Sequence, residues 1–207
     1  MAEDETKKRG KAGGASGLSL RLFFAVELPG EIREAAAAHA ARLRHEFPAA
    51  RASWTRPESL HLTLKFLGEV EAIRLDALQH AAVTAAAALA PFALTIEGAG
   101  TFPPRGTPRV LWLGVGGDSA QLSRLQFRLD REGVYVGFPR ESKPFRPHLT
   151  LARLRAFQRP EVVAALSEAH RRTPFGPHVF QVSDFVLMRS ELGPGGSRYT
   201  PLSYHAF

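Results

Sequence analysis

A four-residue phrase occurs twice in this chain. His61-Leu62-Thr63-Leu64 returns as His148-Leu149-Thr150-Leu151, 87 residues further on. Only eight histidines stand among 207 residues, so an internal repeat explains the recurrence better than composition does. Each copy follows a proline, Pro57 or Pro147, lies in a strand-like pattern and precedes a helix-like one. The fold must therefore present two equivalent strands.

Side chains alternate across a strand, so His61 and Thr63 share one face while Leu62, Leu64 and Phe66 take the other. His148 and Thr150 likewise oppose Leu149 and Leu151. The leucines can anchor each strand to a helix layer. The other face then offers an imidazole and a hydroxyl about 7 Å apart by strand rise. Two such faces meeting across a cleft make a four-cornered polar site. On the same parity Lys65 and Arg146 join the polar face, as phosphate or RNA contacts or as members of structural ion pairs.

The rest of the folded part alternates strands and helices. Strands are expected at residues 20–28, 52–55, 61–67, 92–97, 110–115, 148–153, 179–188 and 199–207. Residues 31–47 set Ile32, Ala36, Ala40, Leu43 and Phe47 on one helical face. A second helix is expected over 73–90, a third after Asp118 or Ser119, and a fourth from Pro160 to His170. The chain turns at 193–196. About four helices with seven or more short strands imply an α+β fold with helices on one face of its sheets. Several strands are too close in sequence for crossover helices, so antiparallel pairing should dominate.

Residues 1–17 mix Glu3, Asp4 and Glu5 with Lys7, Lys8, Arg9 and Lys11, and read as a disordered basic tail. Residues 18–207 read as one domain of two lobes. The absence of cysteine excludes disulfides, thiolate zinc sites and cysteine nucleophiles. A formal net charge of +7 favours polyanionic partners. The apolar run at 18–28 is interrupted by Arg21 and Glu27 and is too short to span a bilayer, so a cytoplasmic protein without membrane partners is expected.

The pattern suits phosphoryl transfer without a metal. A cyclic phosphate needs a base to activate water, an acid for the leaving ribose oxygen, and donors for the non-bridging oxygens. Histidine can fill both proton roles because its ordinary pKa is about 6.5. Threonine hydroxyls can donate to the charged oxygens, or can simply be strand formers. In-line displacement puts attacking and leaving oxygens on opposite sides of phosphorus, which calls for two histidines on two facing strands. Two histidines with no cysteine or carboxylate in either motif make a poor zinc shell, so neither metal nor cofactor is expected.

The chain resembles the 2H phosphoesterase superfamily, and within it the LigT-like RNA 2′,3′-cyclic phosphodiesterases. Four blocks carry the resemblance: residues 21–29 (RLFFAVELP), 56–69 (RPESLHLTLKFLGE), 145–153 (FRPHLTLAR) and 189–199 (RSELGPGGSRY). It implies a bilobed fold of two antiparallel sheets with outer helices, related by a pseudo-twofold axis, with the site in the central cleft. It implies that His61 is the proton donor and His148 the proton acceptor, and that Thr63 and Thr150 bind phosphate. The product would be a 2′-phosphate, with a weaker reverse joining of a cyclic phosphate end to a 5′-hydroxyl. The partners implied are RNA with a 2′,3′-cyclic phosphate end or cyclic nucleotides, met by a monomer. A small cyclic-nucleotide phosphodiesterase and a non-catalytic RNA- or nucleotide-binding module on the same fold stand as alternatives. Trp54, Phe23 and Phe66 are candidates to stack a base, against the simpler reading that they pack in the core.

Overall fold

The computed structural model describes residues 18–87, 89–193 and 196–207. The basic tail expected at 1–17 lies outside the described residues.

The elements run β1 (Ser19–Glu27), α1 (Gly30–Glu46), β2 (Ala52–Trp54), β3 (His61–Glu71), α2 (Leu75–Ala86), β4 (Phe92–Phe102), β5 (Val110–Gly117), α3 (Ser119–Tyr135), β6 (His148–Leu154), α4 (Pro160–Arg172), β7 (His178–Val182), β8 (Asp184–Gly193) and β9 (Gly196–Ala206). Strand–helix–motif strand–helix therefore occurs twice, as β1-α1-β3-α2 and as β5-α3-β6-α4, with β2 inserted in the first copy. The strands follow the order β7-β4-β5-β6-β3-β1-β8-β9, with β2 added beside β6, and every pairing is antiparallel. The strand order divides this one sheet into two four-stranded halves, joined where the motif strands meet. That seam pairs Leu62 with Leu149, the equivalent residues of the two copies. An antiparallel pair of equivalent residues has a local twofold axis between them, so the register itself puts the pseudo-axis at the site.

The motif leucines behave as alternation demands. Leu62, Leu64, Leu149 and Leu151 are buried in the main core with Leu78, Leu122, Leu125 and Leu129 from the helices. Each such side chain contributes about 1.5–3 kcal/mol of burial. A smaller cluster of Phe23, Ala25, Val186 and Met188, with Tyr199 against it, lies apart from that core. Between α1 and α4, His39 Nε2–H donates to His170 Nδ1 at 3.0 Å, and His170 Nε2–H donates to the Trp112 carbonyl at 3.1 Å. Burial and the neighbouring His170 push His39 down to about 4.

Strict alternation fails at the same place in both copies, and in β3 once more at Leu67, skipped between the Phe23–Phe66 and Leu22–Gly68 pairs. Ala25 pairs with Thr63 and Phe24 with Lys65, leaving Leu64 as an extra residue in β3. Trp112 pairs with Thr150 and Leu111 with Ala152, leaving Leu151 as an extra residue in β6. Such bulges re-aim every later side chain. Lys65 follows Leu64 into the interior, and Phe66 emerges, 56% exposed. Ala152 follows Leu151 inward, and Arg153 emerges.

Two expectations are corrected here. Lys65 does not share the histidine face. It is 2% exposed, and its ammonium donates to Asp130 at 2.6 Å and to the Pro139 carbonyl at 2.8 Å. The apolar run at 179–188 is not one strand but two, β7 and β8, divided at Ser183 and paired in opposite halves. No glycine or proline marks that break. The chain crosses there from one half to the other, with the Ser183 carbonyl accepting from the Phe207 amide at 3.0 Å.

Candidate active site

Both motif histidines are held alike. The His61 Nδ1–H donates to the Ser59 carbonyl at 2.8 Å, and the His148 Nδ1–H donates to the Arg146 carbonyl at 2.7 Å. A carbonyl can only accept, so each bond fixes the proton on Nδ1 and leaves Nε2 for chemistry. The carbonyl comes from two residues upstream in both copies. His61 Nε2 lies 3.0 Å from Thr63 Oγ1, whose hydroxyl donates to the unprotonated ring.

Aromatic walls complete the setting. Phe23 and Tyr199 stand 4.9 and 5.0 Å from the His61 ring, the latter edge-on at 89°. Phe102 meets the His148 ring edge-on at 5.0 Å. Phe102 in turn packs on Trp112, whose ring lies across β4 at Gly100, where any Cβ would fall 2.2 Å from it. Burial is the chief force lowering the pKa of both histidines. The carbonyl bonds oppose it, the Arg153 guanidinium adds to it at each ring, and His148 adds to it at His61.

The predicted site residues fall into two groups. His61, Thr63 and Thr150 line a cavity of about 70 Å³, together with Arg153, Phe66 and Tyr199. Thr63 and Phe66 are shared with an adjoining pocket of about 250 Å³ that holds His148, Arg146 and Phe102. Continuing the Leu62–Leu149 register sets His61 opposite Thr150 and Thr63 opposite His148, the four corners expected. Arg146 is exposed at the rim and supplies the carbonyl that orients His148. Lys65 touches the wall of that larger pocket, but its ammonium is spent on Asp130. Asp130 also accepts the Glu141 amide at 3.0 Å, so the pair anchors the loop leading to Arg146 and His148.

Arg153 is the residue that sequence reasoning missed. Its signal was available in the second copy, where unbroken alternation would bury Arg153 beside Leu149 and Leu151. An arginine is almost never buried without a partner, so a bulge was the better inference there. The repeat would have carried it back to Leu64. Among the described residues no group of three or more His, Asp or Glu is arranged to hold a metal ion. No helix among them is long and apolar enough to cross a membrane.

Two imidazoles set among hydroxyls and a guanidinium make a site suited to phosphoester chemistry, and the comparisons place the chain in a family of that class. The family model of the 2′-5′ RNA ligase superfamily matches residues 32–194, and the chain belongs to that family, the 2H phosphoesterases of the expectation above. More narrowly, the chain is 34% identical over 187 residues to the RNA 2′,3′-cyclic phosphodiesterase of Methanothermobacter thermautotrophicus, covering 89% of this chain and 97% of that one. It is 36% identical over 184 residues to the enzyme of that name from Escherichia coli, covering 88% and 93%. Among solved structures, one from Thermus thermophilus superposes with a TM-score of 0.75 at 34% identity, covering 90% of this chain and 97% of that one. Escherichia coli LigT complexed with 3′-AMP gives 0.71 at 33% identity, covering 91% and 98%.

Proposed function

We propose that this protein hydrolyses 2′,3′-cyclic phosphate ends of RNA to 2′-phosphates by acid–base catalysis between His61 and His148. The observation that carries the reading is the matched pair of imidazoles, each with Nδ1 locked to a backbone carbonyl and Nε2 left without a proton, on the two strands that meet at the pseudo-twofold seam.

The cyclic phosphodiester carries one negative charge, and Arg153, which lines the cavity with His61 and whose charge acts on both rings, is placed to offset it. Nε2 of His148 takes a proton from water as its oxygen attacks phosphorus. The bond from phosphorus to the 3′-oxygen breaks, and Nε2–H of His61 protonates that oxygen, leaving the phosphate on the 2′-oxygen. Thr63 and Thr150 donate to the non-bridging oxygens as charge builds on them. Burial favours the neutral ring at both positions, which suits the base directly. The acid takes up its proton as the anion enters and offsets Arg153. With a 5′-hydroxyl in place of water the same pair can join a cyclic end to it through a 2′-5′ linkage, His148 taking the hydroxyl proton and His61 again protonating the departing 3′-oxygen. A monomer in the cytoplasm is the setting this reading implies.

The test is a short RNA ending in a 2′,3′-cyclic phosphate, incubated with EDTA, with the products separated as 2′- and 3′-phosphates. Turnover to the 2′-phosphate alone is expected. A 3′-phosphate product, or loss of activity on chelation, would refute the reading.

A further inference from the structure

A train of three hollows leads away from the catalytic cavity along β2. The first, of about 280 Å³, shares Thr55, Ser59, Arg153 and Tyr199 with that cavity. The second, about 330 Å³, shares Trp54, Thr55 and Arg56 with the first. The third, about 420 Å³, shares Arg44 and Trp54 with the second and adds Arg51 and Arg155. β2 pairs with β6, setting Trp54 opposite Ala152 and Ser53 opposite Arg153. The train therefore begins beside the phosphate-facing arginine. From Thr55 to Arg51 it runs about 13 Å by strand rise.

Its chemistry is one-sided. Among the described residues no carboxylate lines any of the three hollows. Arg56 is occupied by Glu58 at 3.3 Å, but Arg44, Arg51 and Arg155 form none of the ion pairs found among the described residues. Two of these three are held by a stapled backbone. Gln158 accepts the Arg51 amide at 2.8 Å and donates to the Arg51 and Arg155 carbonyls at 3.0 and 2.8 Å, and the Arg155 amide donates to the Arg51 carbonyl at 2.8 Å. The same loop holds Phe157, fully exposed and at φ 58, in the left-handed region that a bulky side chain rarely adopts. A strained, wholly exposed aromatic next to a fixed pair of arginines is the combination that single-stranded nucleic acid binds, by phosphate contacts and by stacking.

We propose that Arg44, Arg51 and Arg155, with Trp54 and Phe157, form a second RNA contact that holds the single strand leading to the cyclic end. The inference rests on the phosphodiesterase reading for its substrate, and it makes that substrate an oligonucleotide rather than a mononucleotide. Arginines grip successive phosphates, the half-buried Trp54 ring walls all three hollows, and Phe157 stacks a base beyond them.

Two measurements on the full chain test it. Fluorescence anisotropy with a labelled oligouridylate ending in a 3′-hydroxyl reads the groove without any cleavage. The triple variant Arg44→Gln, Arg51→Gln and Arg155→Gln should bind at least about tenfold more weakly. Its slope of log affinity against log salt should be shallower by about 2, for three lost phosphate contacts on a single strand. Phe157→Ala, at a fully exposed position, should weaken binding by about fivefold with no change in thermal stability. In the kinetic arm, the triple variant should lose kcat/KM on a cyclic-phosphate oligonucleotide in the same proportion and keep wild-type kcat/KM on a 2′,3′-cyclic mononucleotide. Unchanged oligouridylate binding in both variants would overturn the proposal, as would equal losses on the two substrates. If wild type turns over neither substrate, the phosphodiesterase reading falls, while the anisotropy still decides whether the groove binds RNA.

Discussion

The two halves of the sheet share a scaffold and differ in what they hold out from it. Both place a histidine whose Nδ1 is tied to a carbonyl two residues back, and both insert a bulge at the leucine after the threonine. Beyond the bulge they diverge. The first copy turns Lys65 inward and Phe66 outward; the second turns Ala152 inward and Arg153 outward. His61 sits between Phe23 and Tyr199 with the Thr63 hydroxyl on its Nε2, whereas His148 meets the Phe102 ring edge-on and faces the larger pocket. The repeat thus sets two imidazoles on adjoining strands, and the divergence beyond it leaves Phe66 outward on one side, Arg153 outward on the other, and the two rings in unlike settings.

That contrast can be broken at the residues where the halves differ. The largest effect is expected from Lys65→Met. It leaves the Asp130 carboxylate buried without its partner and should cost about 3–5 kcal/mol of stability, read as a lower urea midpoint with kcat per folded molecule largely retained. A loss of kcat without loss of stability would return Lys65 to the cleft. Arg153→Ala should do the opposite. It should lower kcat/KM by about 100-fold with little change in the urea midpoint, since the side chain is exposed and lines the cavity with His61 and both threonines.

The pH profile sharpens the comparison further. Both imidazoles titrate below 6.5, and the active form needs one protonated and one neutral. As pH rises above both pKa values the protonated fraction of the acid falls, so kcat/KM should decline above pH 6.5, approaching tenfold per unit. Arg153→Ala removes one cause of the depression at each ring and should move that declining limb to higher pH. A profile that stays flat or rises between pH 6.5 and 8 would contradict the assignment.

Much of this was legible in the residues themselves. The duplicated His-Leu-Thr-Leu specified two equivalent strands, the buried leucine face and a paired polar site, because strand parity is a strong local constraint. The helices followed from spacings such as Ile32, Ala36, Ala40 and Leu43, which are buried in α1. Parity holds only until a residue is inserted, and nothing in Leu64 or Leu151 as a side chain announces the insertion. The exchange of Lys65 for Phe66 followed from that step, whose one sign in the sequence was Arg153, two residues past Leu151, where unbroken alternation would bury a charge. Ser183 was illegible for a different reason: the strands on either side are both apolar, and only their partners in opposite halves separate them.

The central claim is that the two histidines are unequal, His61 giving the proton and His148 taking it. The most direct measurement uses a cyclic substrate with sulfur in place of the 3′-oxygen, a leaving group that needs no acid. On the natural substrate His61→Ala and His148→Ala should each lose about 10²- to 10⁴-fold in kcat. On the sulfur substrate His61→Ala should recover to within about tenfold of wild type while His148→Ala stays impaired. Rescue of His148→Ala instead, or equal rescue of both, would contradict the account.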